Sequence, residues 1–185
     1  MNHLATSKED ILAASRDLIK ENGWAAVSIR AVASRCSVSA GTIYNYYESK
    51  ADLLSDTIES IWHEIFFHPE DEQVFHDVES CISWIYERLE YGNSQFPGFF
   101  SLHSFGFMRD EKTSGKKKMM QTWGHILNGL CEVLGTDPKV RSDVFDQEFT
   151  EKKFADILFS LILVSMIRQD YDPSSVLMLV KKTLY

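Results

Sequence analysis

The chain is short of the residues that staple, break or insulate a fold. It has three cysteines in 185 residues, and Cys36, Cys81 and Cys131 are widely spaced, odd in number and without a CxxC pair. That excludes a disulfide framework and fits a reducing compartment. Four prolines and nine glycines give too little punctuation for a protein of many strands and turns. The longest apolar stretch, Ile157 to Ile167, is interrupted by Ser160 and Ser165 and is too short to span a bilayer. The opening MNHLATSKED has no basic-then-apolar signal pattern. These absences lead us to expect a soluble, cytoplasmic chain that does not engage a membrane.

Positive charge is scarce too. Nineteen basic residues face 27 acidic ones, a formal net charge of -8, so the molecule as a whole is no generic polyanion binder. The distribution is uneven. Residues 1–55 carry six basic groups (Lys8, Arg16, Lys20, Arg30, Arg35, Lys50) and six acidic ones, and are neutral. All of the net negative charge lies in residues 56–185. A neutral head on an acidic body fits polyanion contact confined to one end.

What is present is apolar content of 44%, 12% of the chain being aromatic, arranged at helical spacing. Ser7 is placed to cap a helix whose Ile11, Leu12, Ser15, Leu18 and Ile19 share a face, with Gly23 as its stop. Ser28 caps a second, with Val27 and Val32 in hydrophobic-staple positions. A third runs from about Ser39 to Tyr46. Ser49 caps a fourth, with an apolar stripe through Leu53, Ile58, Ile61, Trp62 and Ile65, that ends at Pro69. Further helices are expected over 72–91, 98–109, 116–134 and 147–169, with loops after Gly92 and over 136–146, and a last helix capped by Asp172 with Pro173 in its first position. No convincing period-two run appears, so the expected class is all-α: a three-helix head on a larger helical body.

Function concentrates in Ser28 to Lys50. Two short helices are joined by only Cys36-Ser37-Val38, so they pack steeply and can push the second into a major groove. Ser39, Ala40, Gly41 and Thr42 are small and allow close approach to phosphates and base edges, where helix N-terminal amides also help. Tyr44, Asn45 and Tyr46 bring hydroxyl and amide groups, and Lys50 is positioned for a flanking phosphate.

This segment resembles the helix-turn-helix of TetR-family repressors, whose usual pattern is G-x-[LI]-Y-x-[HY]-F-x-x-K. Gly41, Ile43, Tyr44, Tyr46 and Lys50 match it, with Tyr47 in the usual Phe place and expected in the core. Upstream, Ile11, Leu12 and Ala14, then Gly23, Ser28, Ile29, Val32 and Ala33, fall in the same register. The resemblance covers roughly residues 7–55. It implies a DNA-binding domain over 1–50 and a helical regulatory and dimerisation domain over 51–185. By position it makes Ser28, Tyr44 and Lys50 phosphate contacts, and Ser39, Ala40, Thr42, Asn45 and Tyr46 the residues closest to bases. The recognition helix holds no arginine, the commonest reader of guanine, although Arg30 and Arg35 lie nearby.

One such head makes too few phosphate contacts for tight specific binding, so a homodimer on a double-stranded DNA operator is expected. The resemblance places the dimer interface on the last two long helices, with Phe154, Leu158, Leu161, Ile162, Ser165, Val176, Leu177 and Val180 as candidates. It also implies an effector cavity in the body, for which Trp62, Phe66, Trp84, Phe100, His103, Phe107 and Trp123 are the wall candidates. No buried basic cluster suggests a phosphate-bearing or acyl-CoA ligand. The expected function is a repressor released from a palindromic operator by a small apolar or aromatic molecule of unknown identity. A ligand-independent regulator and a helical adaptor or enzyme without DNA binding are the rivals.

No enzyme is expected, because no Gly-rich phosphate loop, nucleophile elbow or clustered carboxylate pair occurs. No cofactor or metal is expected either. His63-Glu64-Ile65-Phe66-Phe67-His68 is one residue too long for HExxH, which leaves its histidines about 140° apart on a helix. Cys36 is expected to be a small filler in the turn.

Overall fold

The computed structural model describes residues 6–67, 75–100 and 114–185, with the side chains of 114–122 excepted. Among the described residues there are eight α-helices and no strand. They are α1 (Lys8–Asn22), α2 (Ile29–Arg35), α3 (Ala40–Tyr44), α4 (Lys50–Phe66), α5 (Val78–Gln95), α6 (Ser114–Thr136), α7 (Glu151–Arg168) and α8 (Ser174–Leu184), with a 3-10 turn over Trp24–Ala26 after α1. None of them is long and apolar enough to cross a membrane.

The capping residues set the head's boundaries. Ser7 accepts from the Asp10 amide while the Asp10 carboxylate accepts from the Ser7 amide, a reciprocal box. Gly23 ends α1 at φ +76, a conformation other residues rarely adopt. Ser28, Ser39 and Ser49 cap α2, α3 and α4, each side chain accepting from the amide three residues on. Val27 and Val32 are both fully buried, as a staple requires. The turn between α2 and α3 is a Schellman motif. Val38 N donates to Ala33 O at 2.9 Å and Ser37 N to Ser34 O at 3.1 Å, with Ser37 left-handed at φ +56. Ile43 and Tyr47 lie in the core.

α4 is shared. It packs on α1 with one side and on α5 and α6 with another. It ends at Phe66, before Pro69, and residues 68–74 lie outside the described residues. α5 then starts later than expected, capped by Asp77, and runs through Gly92 instead of stopping there. The reason is packing. A Cβ at Gly92 would lie 2.7 Å from Ile65 Cδ1 and 2.9 Å from Phe100 Cζ, so the missing side chain admits α4 and Phe100 onto the face of α5. Most of the helix expected over 98–109 lies outside the described residues, but Phe99 and Phe100 are buried. α6 begins at Ser114, inside the segment expected to be a connection, and passes Gly135 by one residue.

The 136–146 connection is held by one buried carboxylate. Asp137 accepts from the Val78 amide at 3.0 Å and the Tyr185 hydroxyl at 2.6 Å, joining the start of α5 to the end of α8. Thr150 caps α7, and Gln169 closes it in the left-handed region. α8 starts one residue later than expected, with Pro173 in the cap position and Asp172 accepting from the Ser174 amide.

Ser37 is a serine where a left-handed backbone favours glycine. Ser37→Gly should raise stability by about 0.5–1 kcal/mol, read as a higher denaturation midpoint. An unchanged or lower midpoint would mean that the Ser37 side chain holds the turn by another contact.

Candidate nucleic-acid interface

The head's charges are mostly committed inside the protein. Lys8 pairs with Asp56 at 2.6 Å, Arg16 with Glu9 at 2.9 Å and Glu64 at 3.0 Å, and Lys20 with Glu64 at 2.6 Å. Arg35 forks onto Glu21 and reaches Asp17 at 3.7 Å, which raises its own pKa and lowers that of Glu21. Of the head's six cations, Arg30 and Lys50, both expected at DNA, are exposed and make no ion pair among the described residues. Arg30 stands in the first turn of α2, and Lys50 is the first residue of α4.

The recognition helix is shorter than expected, five residues ending at Tyr44, with Asn45 as its C-cap. So short a helix has little macrodipole, and the Thr42 amide is already held by Ser39 Oγ at 3.1 Å. Phosphate attraction from this helix end is therefore weaker than the sequence suggested. Tyr44 is 56% exposed, and Ser39, Gly41 and Asn45 are also exposed. Ser28, Ala40 and Thr42 are half-buried, the two hydroxyls Ser28 and Ser39 serving as caps. Tyr46 is the residue of this group that is tied into the head. It is half-buried and its hydroxyl donates to the Thr6 carbonyl at 2.6 Å, tying the end of α3 to the start of α1. A phenol is long enough to reach that carbonyl.

Cys36 is half-buried, its thiol 3.8 Å from the Asp10 carbonyl. Burial raises its pKa, so little thiolate forms at neutral pH. It borders a cleft of about 310 Å³ with Thr6, Asp10, Ala13, Ala14, Asp17 and Arg35, whose only cation among the described residues is the paired Arg35.

The body's aromatic side chains converge behind α4. Trp62 stacks on Phe66 at 5.5 Å and meets Phe99 at 5.2 Å and Phe100 at 5.6 Å. Trp84 joins through Phe66 at 6.1 Å. Trp123 instead meets Phe159 of α7, at 5.7 Å. His103 and Phe107 lie outside the described residues. The sequence reading missed two members. Trp24, in the head's 3-10 turn, stacks on Phe99 at 5.7 Å, and Tyr171 meets Phe100 at 6.4 Å. An isolated aromatic residue in a loop carries no periodic signal that could have revealed either.

Glu64 sits at the junction of head and body. Its carboxylate takes Arg16 and Lys20 of α1, while Arg88 of α5 donates to its backbone carbonyl at 3.4 Å and to that of Ile65 at 2.5 Å. Head, α4 and body meet at one residue. His63 stacks on Phe67, and no group of three potential metal ligands occurs among the described residues.

The residues expected at a dimer interface have these places in the single chain. Phe154, Leu158, Ile162, Val176 and Val180 are buried in their own chain's core, and Ser165 bonds Tyr86 at 2.9 Å. Leu161 and Leu177 are half-buried. The apolar side chains left exposed on these helices are Ile157, Val164 and Ile167 of α7 and Met178 and Leu179 of α8. Because α7 is apolar nearly all round, its sequence does not say which stripe its own core takes.

Residues 11–57 match the family described as "Bacterial regulatory proteins, tetR family". That match covers α1 from Ile11, all of α2 and α3, and the start of α4. Over 48 residues the chain is 38% identical to the HTH-type transcriptional regulator UidR of Escherichia coli and to the UidR of Shigella flexneri. That match spans 26% of this chain and 24% of the relative, about a quarter of each. In fold the resemblance extends further. A transcriptional regulator FadR from Bacillus subtilis in complex with stearoyl-CoA aligns over 97% of this chain and 100% of its own, with TM-score 0.67 and 18% identity. The reduced form of E. coli NemR aligns over 96% and 97%, with TM-score 0.67 and 15% identity. At such identities these two speak for a shared fold alone, a helix-turn-helix head on a helical body.

Glu64 at the junction is partly buried, with its side chain 23% exposed. Glu64→Gln should leave Arg16 and Lys20 without their shared partner and lower stability by about 1–2 kcal/mol, between the surface and buried cases. Thermal unfolding at low and high salt reads it. An unchanged midpoint at both would show that the cluster holds nothing together.

Proposed function

We propose that the protein is a sequence-specific DNA-binding transcriptional regulator, acting as a homodimer that represses from a palindromic operator and is released by a small apolar or aromatic ligand. The observation that carries this reading is the TetR-family head whose outward residues are Tyr44, Asn45, Ser39 and Gly41, flanked by the unpaired Arg30 and Lys50. Tyr44 and Asn45 offer hydroxyl and amide groups to bases or backbone, and Arg30 and Lys50 each neutralise a phosphate. With the other cations committed internally, the grip depends on two heads bound at once.

Pairing of two chains would use the exposed apolar faces of α7 and α8, where Ile157, Val164, Ile167, Met178 and Leu179 otherwise remain in water. A ligand among Trp62, Phe66 and Phe100 would bias α4 toward a second position. α4 would carry that change to α1 through Glu64, and Phe99 would pass it to Trp24. The distance between the two recognition helices then changes and operator affinity falls, provided the ligand binds the two arrangements unequally.

The test is an anisotropy titration of the full chain against duplex from its own upstream region and a scrambled duplex, at several salt concentrations. The upstream duplex should bind at least about a thousandfold more tightly. Two free cations per head predict about four phosphate pairs per dimer, so log K should fall against log salt with a slope near -4. Arg30→Ala and Lys50→Ala should each flatten that slope by about 2. Equal affinity for both duplexes would overturn the reading, and a slope near -10 would show that the internal ion pairs open to serve DNA.

A further inference from the structure

The recognition helix is held along its length by contacts of different kinds. At its start, the turn bond from Val38 N to Ala33 O and the Ser39 cap set where α3 begins. On its inner side, Ile43 and Tyr47 are buried in the core. Apolar burial is non-directional, so these two side chains hold α3 down without fixing its rotation about its own axis. A hydrogen bond is directional. Such a bond runs from the Tyr46 hydroxyl, just past the end of α3, to the Thr6 carbonyl at 2.6 Å.

The acceptor is itself held. Thr6 is buried and directly precedes the closed Ser7–Asp10 capping box. Two residues on, Lys8 pairs with Asp56 of α4 at 2.6 Å and stands over the Tyr47 ring at 5.7 Å. The Thr6 carbonyl is therefore a fixed point on the frame that α1 and α4 form. Tyr44 and Asn45, which are exposed, immediately precede the tyrosine tied to that point.

We infer that Tyr46 is a positioning residue for DNA recognition: by holding the Thr6 carbonyl it sets the rotation at which Tyr44 and Asn45 meet base edges, without itself touching DNA. The inference rests on the DNA-binding reading above and gives Tyr46 a role other than the base contact that its place in the pattern implies. The pattern also accepts histidine there, but an imidazole is shorter than a phenol and in this chain would stop short of Thr6. The tie also links α3 to α4 through Lys8 and Asp56, a route separate from Glu64.

Two measurements on the full-length protein test this, at pH 8 so that an introduced imidazole is neutral. The first is an anisotropy titration of Tyr46→Phe and Tyr46→His with the upstream duplex, the scrambled duplex, and upstream duplexes each changed at one base pair. The ratio of upstream to scrambled affinity should fall about ten- to a hundredfold in both variants, roughly three- to tenfold for each head of a pair, the worth of one hydrogen bond. Single base-pair changes across a half-site should each cost less than they cost the parent. The second is amide hydrogen exchange of Asn45, Tyr46 and Tyr47 in the DNA-free protein, which should quicken about three- to tenfold in Tyr46→Phe. A parent-like affinity ratio in Tyr46→Phe, or unchanged exchange, would overturn the inference and leave DNA recognition standing. A loss confined to one base pair, or restored by Tyr46→His, would show a direct contact and overturn it likewise. If the parent itself does not distinguish the two duplexes, the DNA-binding reading fails and the inference falls with it.

Discussion

Everything in this protein depends on how α4 is held, because it belongs to the head and the body at once. Its side chain at Glu64 takes two cations from α1, while its last carbonyls take Arg88 from α5. The ion pairs are partly buried, so they are neither the negligible bridges of an open surface nor the costly ones of a dry core. They set a fixed angle between the recognition unit and the aromatic cluster. A displacement of α4 by one side chain's width cannot be absorbed locally, since Gly92 already lets Ile65 and Phe100 pack against α5 without slack.

That arrangement also explains the electrostatics of the head. A neutral segment with six cations looked like a weak but usable DNA surface. In the structure, four of the six serve the fold, and Arg30 and Lys50 remain. Affinity then has to come from geometry: two heads at the correct spacing, each adding a few contacts. On the proposed function, such a reader would gain little from non-specific attraction and would be sensitive to changes in the body.

The head was legible in the sequence because its signals are local. Serines before apolar runs became caps, Gly23 became the stop, and Val27 with Val32 became a buried staple. Tyr47 belonged to the core as expected. The site was legible only in part. Tyr46 matched the pattern position of a base contact, yet its hydroxyl found the Thr6 carbonyl, a partner 40 residues away. The body was less legible still. Gly92 read as a helix stop until its neighbours on α4 showed why a glycine belongs inside α5. The stripe of α7 that faces its own core cannot be chosen from a helix apolar on nearly every side; in the structure Phe154, Leu158 and Ile162 are buried in the core of their own chain. Trp24, Tyr171 and Glu64 gained their meaning from contacts across the fold, which no periodicity encodes.

The central claim is that two copies of this head read DNA together, at a spacing fixed by their bodies. Hydroxyl-radical footprinting of the full-length protein on its own upstream DNA tests it most directly. The account predicts two protected patches on one face of the duplex, related by a two-fold axis and centred about one helical turn, ~34–36 Å, apart. A single patch, or uniform protection that follows protein concentration without regard to sequence, would contradict it.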